Sequence, residues 1–240
     1  MSMAGNHLRH WALVALVAPL GLQSQAAPRD STRSPVIRTG ELIGVTAALG
    51  LSFALDGTIR SEAQAGRSDA TNTLASIGNG IGNLVYLGPV LGATWAVGVV
   101  TRNRGIRIAS EDALAAGVIA GGITGLLKLG FGRVRPRDGG PPDRFRPFSS
   151  HTSFPSGHTT LAMAVASSLA HSTKDHWSDA FFYSAALVTG YARINDNKHW
   201  LSDVIAGGAI GFLVGRQLHF RGTKITPFVG NGGFGGSLAF

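Results

Sequence analysis

The sequence predicts an all-α fold, a bundle of about six helices with its polar groups gathered at the helix ends. Two observations predict it. Charged residues make up only 14% of the 240-residue chain while hydrophobic residues reach 44% and glycines number 34, against about 25% charged in an ordinary soluble domain. Uncharged stretches rich in glycine, alanine, leucine, isoleucine and valine recur at residues 42–55, 77–100, 113–127, 159–173, 180–192 and 204–215. Small residues at that density suit helices that pack closely, in or near a membrane. The length fits one sizeable domain.

In chain order, residues 1–26 read as a secretory signal. Arg9 supplies a basic start, residues 11–22 an apolar core, and Ser24-Gln25-Ala26 a small-residue cleavage site. The apolar core is short for a spanning helix, which needs about 20 residues. This places the chain in a bacterial-type cell envelope: periplasmic, membrane-associated or integral. The absence of cysteine suits an exported chain without disulfides but selects no compartment. Residues 27–40 are polar with two prolines and read as a linker. The helical domain covers residues 41–220. Asp56-Gly57 signals a turn after the first helix, Pro89 a kink or break in the second, and Gly139-Gly140-Pro141-Pro142 a loop after the third. Residues 221–240 form a glycine-rich tail with room for a short β-hairpin between residues 225–229 and 236–240.

The Lys and Arg residues of alternate loops balance, so charge selects no membrane orientation. Only the second stretch exceeds 20 residues, and a peripheral periplasmic or membrane-surface domain fits slightly better than six spans. Net charge is +8. Lys128, Arg133, Arg135, Arg137, Arg144 and Arg146, against Asp138 and Asp143, concentrate it in one loop, which points to an anionic partner. Sparse aromatic interleaving and the lack of a DNA-binding motif exclude nucleic acid.

Three polar groups carry the chemistry, which puts the active site at the helix ends. Lys128 ends the third helix, and Arg133, Arg135 and Arg137 point out of the turn that follows. Pro155-Ser156-Gly157-His158 opens the fourth helix, with proline in the first turn and the amides of Ser156, Gly157 and His158 as anion donors. Arg193 precedes His199, and His199 and Asp203, four apart, share a helix face. A carboxylate on Nδ1 orients the imidazole and leaves Nε2 nucleophilic. Lys128, Arg135 and Arg193 make a cationic cage suited to phosphate. His158, opposite the nucleophile, is placed to protonate a leaving alkoxide and then activate water. His151, His171, His176 and His219 read as loop or surface histidines, and Trp177 and Trp200 as interfacial or core aromatics.

These motifs resemble the type 2 phosphatidic acid phosphatase superfamily, which also holds bacterial class A acid phosphatases and vanadium haloperoxidases. The family pattern is Lys, six residues, Arg-Pro; then Pro-Ser-Gly-His; then Ser-Arg, five residues, His, three residues, Asp. This chain has Lys128 and Arg135-Pro136, then Pro155-Ser156-Gly157-His158, then Arg193, His199 and Asp203. Ala192 stands where the pattern has serine. The resemblance covers about residues 75–215. It implies a phosphomonoesterase acting on lipid or lipid-like phosphates through a phosphohistidine on His199, oriented by Asp203, with His158 as acid then base. Lys128, Arg135, Ser156, Gly157 and Arg193 would bind the phosphoryl oxygens, with no metal and no cofactor. Two alternatives remain open: a haloperoxidase holding vanadate in the same cage, and a non-catalytic phospholipid-binding envelope protein.

Overall fold

A computed structural model describes residues 39–173, 175–217, 224–230 and 233–239. The signal, most of the linker, His219 and the 220/221 boundary lie outside these residues. Among them are seven α-helices: α1 Thr39–Ala65, α2 Asp69–Ile81, α3 Leu84–Val100, α4 Arg104–Phe131, α5 Gly157–Thr173, α6 His176–Asn195 and α7 Leu201–Gln217. Strands β1 Lys224–Gly230 and β2 Gly233–Ala239 pair antiparallel, with Phe228 opposite Gly235. The fold is all-α with a small appended hairpin.

Two of the predicted breaks fall elsewhere. Helix α1 already includes Thr39 and Gly40 of the expected linker, and it runs straight through Asp56-Gly57. Asp56 is completely buried, its carboxylate accepting hydrogen bonds from Arg133 and Ser202. Partners supplied by distant chain override the local turn preference. The second stretch divides at Gly82-Asn83 rather than at Pro89, which lies inside α3. A Cβ on Gly82 would sit 2.4 Å from Thr189 Cγ2 and 3.0 Å from the His158 carbonyl, so the chain turns where it is pressed against α5 and α6. The Asn83 side chain then caps α3 by accepting the Val85 amide at 2.9 Å, satisfying a helix-start donor. The two helices meet at a bend of 54°.

Helix α4 is longer than its uncharged core because Asn103 caps it and Arg107 pairs with Glu111 one turn on, at 2.9 Å. It ends at Gly132 with φ +56, where a Cβ would overlap the Arg146 carbonyl. Only glycine fits there. The loop then folds back on itself, Val134 N–H donating to Arg144 O and Arg146 N–H to Gly132 O.

Helix α5 is the centre of the bundle, flanked by α4, α6 and α7. Nearly all of its residues from Thr159 to Ala170 are buried, as expected of a helix apolar on every side. Gly207, Gly211 and Gly215 form a stripe on α7 facing it. Cβ atoms there would fall 2.6, 2.4 and 2.2 Å from the carbonyls of Ser156, Thr160 and Ala164. The two backbones therefore lie in direct contact, which fixes the start of α5 against the start of α7.

Helices α1 and α4 are long and apolar enough to cross a membrane, and α2 with α3 would make a third span if the bent pair is one. Only 11% and 22% of the apolar windows of α1 and α4 are buried, leaving residues such as Ile43, Leu51, Val118 and Leu126 exposed. Outward apolar faces of this length suit lipid, which shifts the balance from a peripheral domain to membrane spans.

Candidate active site

The C-terminal ends of α1, α2, α4 and α6 and the N-terminal ends of α5 and α7 meet at one end of the bundle. The last turn of α4 supplies Lys128 and the loop beyond it Arg135. Both lean on Thr152: Lys128 Nζ donates to its carbonyl, and Arg135 to its Oγ1 at 3.0 Å. Gly157, first in α5, lies beside Lys128; a Cβ there would sit 3.6 Å from Lys128 Cε. The last turn of α6 supplies Arg193, buried, which donates to Asn79 Oδ1 of α2. The Arg193 carbonyl accepts the amides of Lys198 and His199 at 3.1 and 3.2 Å, so the chain curls back and sets His199 near enough to Arg193 to feel its charge.

His199 is 4% exposed. Its Nδ1 faces Asp203 Oδ2 at 3.4 Å, a long contact outside good hydrogen-bond geometry. Such contacts tighten in a liganded site. Asp203 is held from every side. Its Oδ1 accepts from Arg133 at 2.7 Å, and its Oδ2 from Ser153 Oγ at 2.5 Å and from the Trp200 amide at 2.9 Å.

Burial, first, and the nearby Lys128 and Arg193 push the His199 imidazole down to about 4, despite the opposing pull of Asp203. His158, in the first turn of α5, is pushed down to about 4 by burial and by Arg193, His199, Lys198 and Lys128. Burial, with Arg137 beside it, lowers Arg135 from its ordinary value. Near neutral pH these shifts leave both histidines uncharged, and Nε2 of His199 carries a lone pair. Two buried donors there, Arg193 Nε and His199 Nδ1, have no hydrogen-bond partner among the described residues.

The PAP2 superfamily model matches residues 112–223, the segment that carries all three motifs. That segment belongs to the PAP2 superfamily. Similar curated proteins include the lipid A 1-phosphatase of Porphyromonas gingivalis, 39% identical over 107 residues, which are 44% of this chain and 22% of that one. The lipid A 1-phosphatase of Rhizobium johnstonii is 38% identical over 100 residues, 39% of this chain and 40% of that one. The chain thus spans less than half the length of these relatives. Among solved structures, a transmembrane PAP2-type phosphatidylglycerolphosphate phosphatase from Bacillus subtilis aligns with a TM-score of 0.58 at 21% identity, covering 72% of this chain and 90% of that one. Aquifex aeolicus LpxE aligns at 0.50 and 21%, covering 67% and 92%. At that identity the likeness is one of fold. The outward apolar faces of α1 and α4, each long enough to cross a bilayer, mark a membrane protein.

Three expectations for this PAP2 site need correction. Pro155 lies two residues before α5, not in its first turn. The Ser156 amide is not open to an anion, because it donates to the Asp203 carbonyl at 2.9 Å, while Ser156 Oγ shares a hydrogen bond with Thr159 Oγ1 at 2.9 Å. Ser156 ties α5 to α7 instead. The amides of Gly157 and His158 follow it in the first turn, where no intrahelical carbonyl reaches them. Arg133 does not point outward: it is completely buried, whereas Arg137 and Arg144 are exposed.

Two residues of the site fall outside the motifs: Asp56, which reads locally as a turn residue, and Asn79. An aspartate within an otherwise apolar helix is costly unless paired, and that cost was the available signal for Asp56. Nothing in the local sequence marks Asn79. Trp200 is a core residue, its Nε1 donating to Val134 O at 3.0 Å, and Trp177 is exposed. His151 is half-buried, and His171 and His176 are exposed at the opposite end of α5 and α6. Among the described residues no group of three or more His, Cys, Asp or Glu is placed to hold a metal ion.

Proposed function

We propose that this protein is a metal-independent phosphomonoesterase of phosphorylated lipids that works through a phosphohistidine. The observation that carries the reading is the convergence of Lys128, Arg135 and Arg193 around an uncharged His199 backed by Asp203. The phosphoryl group sits among the three cations and the amides of Gly157 and His158. Fixed positive charge there offsets the charge that develops on the phosphoryl oxygens, and the unpartnered Arg193 Nε gains an acceptor.

The bound phosphate dianion favours the imidazolium of His158, which takes up a proton from solvent. His199 Nε2 then attacks phosphorus as the ester P–O bond breaks, and the leaving alkoxide takes that proton from His158. A phosphorus–nitrogen bond to His199 now holds the group. His158, left neutral, removes a proton from water as that water attacks phosphorus. The P–N bond breaks, phosphate leaves and His199 is restored. Asp203 holds the imidazole by Nδ1 and stabilises the positive charge it acquires.

The substrate class is a phosphate on a membrane-embedded lipid. The names of the two lipid A 1-phosphatases and the outward apolar helices support that class and place a lipid A 1-phosphate first in a substrate panel, before phosphatidate and isoprenyl phosphates. The signal-like N-terminus supports a site in the bacterial cell envelope. The relatives are phosphatases, and the haloperoxidase alternative is set aside.

The test is phosphate release by the full chain in detergent with EDTA present. His199→Ala lowers the rate by roughly a thousandfold or more, whereas His151→Ala retains it. Equal activity in the two variants overturns the reading.

A further inference from the structure

Behind Asp203 lies a second carboxylate that the phosphatase chemistry above does not use. Asp56 comes from α1, outside residues 112–223 matched by the family model. Between Asp56 and Asp203 stands Arg133, and all three side chains are completely buried. Arg133 spends all five of its N–H donors. Nε and one Nη2 hydrogen go to the Pro142 carbonyl, and the other Nη2 hydrogen to Asp56 Oδ2 at 2.6 Å. The Nη1 hydrogens go to Ser202 Oγ at 2.6 Å and Asp203 Oδ1 at 2.7 Å. Ser202 closes the ring by donating its amide and hydroxyl to Asp56 at 2.8 and 2.6 Å. The guanidinium lies 5.0 to 5.5 Å from the ring centroids of Phe53, Phe145 and Trp200, which screen it from water.

A lone Arg133–Asp203 pair would be neutral and would blunt the carboxylate that faces His199. With Asp56 the cluster carries one net negative charge. We propose that Asp56 is a positioning residue of the phosphatase site: through Arg133 it holds Asp203 in place and keeps net negative charge behind His199. The charged and titratable groups that face His199 from the other elements are Lys128 of α4, His158 of α5 and Arg193 of α6. The Asp56–Arg133–Asp203 cluster is the source of negative charge against them. It matters when the imidazole becomes cationic, as phosphorus bonds to Nε2, and matters little for a ground-state anion held by the cage. This inference rests on the phosphatase reading and deepens it.

Orthovanadate separates the two roles, because it takes a fifth ligand from an imidazole nitrogen, whereas inorganic phosphate binds without a bond to His199. Both are titrated into the full chain in detergent, wild type and Asp56→Asn, with the folded fraction measured by thermal melting. Asp56→Asn weakens vanadate binding about tenfold per folded molecule, the effect of removing one unit charge about 12 Å from the imidazole at an effective dielectric of about 20, and changes phosphate binding by less than about twofold. Arg133→Lys, which keeps the charge but cannot fork to both carboxylates, weakens vanadate in the same selective way and serves if Asp56→Asn does not fold. Equal losses for both anions, or none, overturn the inference. If neither variant folds, the cluster serves the fold alone and the inference falls. A wild type that binds neither anion overturns the phosphatase reading and this inference with it.

Discussion

The proposed acid, His158, is in the wrong protonation state until a substrate arrives, and this yields a direct prediction. Burial and the neighbouring Arg193, His199, Lys198 and Lys128 hold it down to about 4, so at pH 6.5 it is neutral and has no proton to give. A phosphate dianion reverses the sign of the local field. One negative charge about 4 Å away, at an effective dielectric of about 20, favours the imidazolium by about 4 kcal/mol, or about three pH units. That single contribution brings the histidine to about 7, and at pH 6.5 binding should therefore draw in more than about half a proton. Sulfate is a suitable probe because it has the same shape and charge and no titration of its own in this range. Calorimetric titration of sulfate into the full chain at pH 6.5, in buffers of different ionisation enthalpy, reads the proton count directly. The expected result is net proton uptake that disappears in His158→Asn. Sulfate binding with no buffer dependence would refute the reasoning, and uptake that persists in His158→Asn would assign the proton to another group.

The glycine stripe of α7 makes a paired stability prediction. In Gly211→Ala the new Cβ meets the Thr160 carbonyl at 2.4 Å and the Ala164 amide at 2.8 Å, an overpacking worth about 1–3 kcal/mol and a fall in Tm of about 2–4 °C for each of those kcal/mol. Gly208→Ala meets only Thr159 Cγ2 at 3.9 Å and should be neutral or slightly stabilising; equal Tm values for the two variants would contradict the packing. Buried His199 titrates at about 4 in the folded chain and near 6.5 when unfolded. The unfolded state binds the proton first, so this contribution to stability is complete above about pH 6.5 and is lost as pH falls towards 4. Its slope is at most about 1.4 kcal/mol per pH unit. A Tm-versus-pH series should show a shallower acid decline for His199→Gln than for the wild type, and parallel declines would refute it.

The three motifs were legible because fixed spacings place their residues on helix ends whatever the rest of the chain does. His199 and Asp203 are one turn apart, and Lys128 and Arg135 bracket a helix stop that Gly132 enforces. What local pattern could not supply was the identity of distant partners. Asp56-Gly57 carries every mark of a turn, yet Asp56 is held inside a helix by Arg133, 77 residues away. Arg133 sits between two glycine-marked turns and looks solvent-bound, yet its donors are all taken. The Ser156 amide looks like an anion donor and is instead spent on the Asp203 carbonyl. In each case a hydrogen bond to a remote segment decided the outcome, and such partners leave no trace in neighbouring residues. The break at Gly82 rather than Pro89 has the same origin, since the neighbour that forces it is α6.

The Asp56–Arg133 link also bears on what counts as the indivisible unit of this protein. The segment recognisable by descent, residues 112–223, contains every motif residue, but the contacts that hold those residues cross its boundary. Excised at its first residue, it would lose the acid that balances Arg133 and the Phe53 ring that shields it. It would also lose Asn79, which holds Arg193, and Asn72, which accepts from Asn195. The proposed site would keep its polar groups and lose the scaffold that orients them. The packing of the site therefore reaches back to α1, and the boundary drawn by kinship and the boundary drawn by contact are different lines on the same chain.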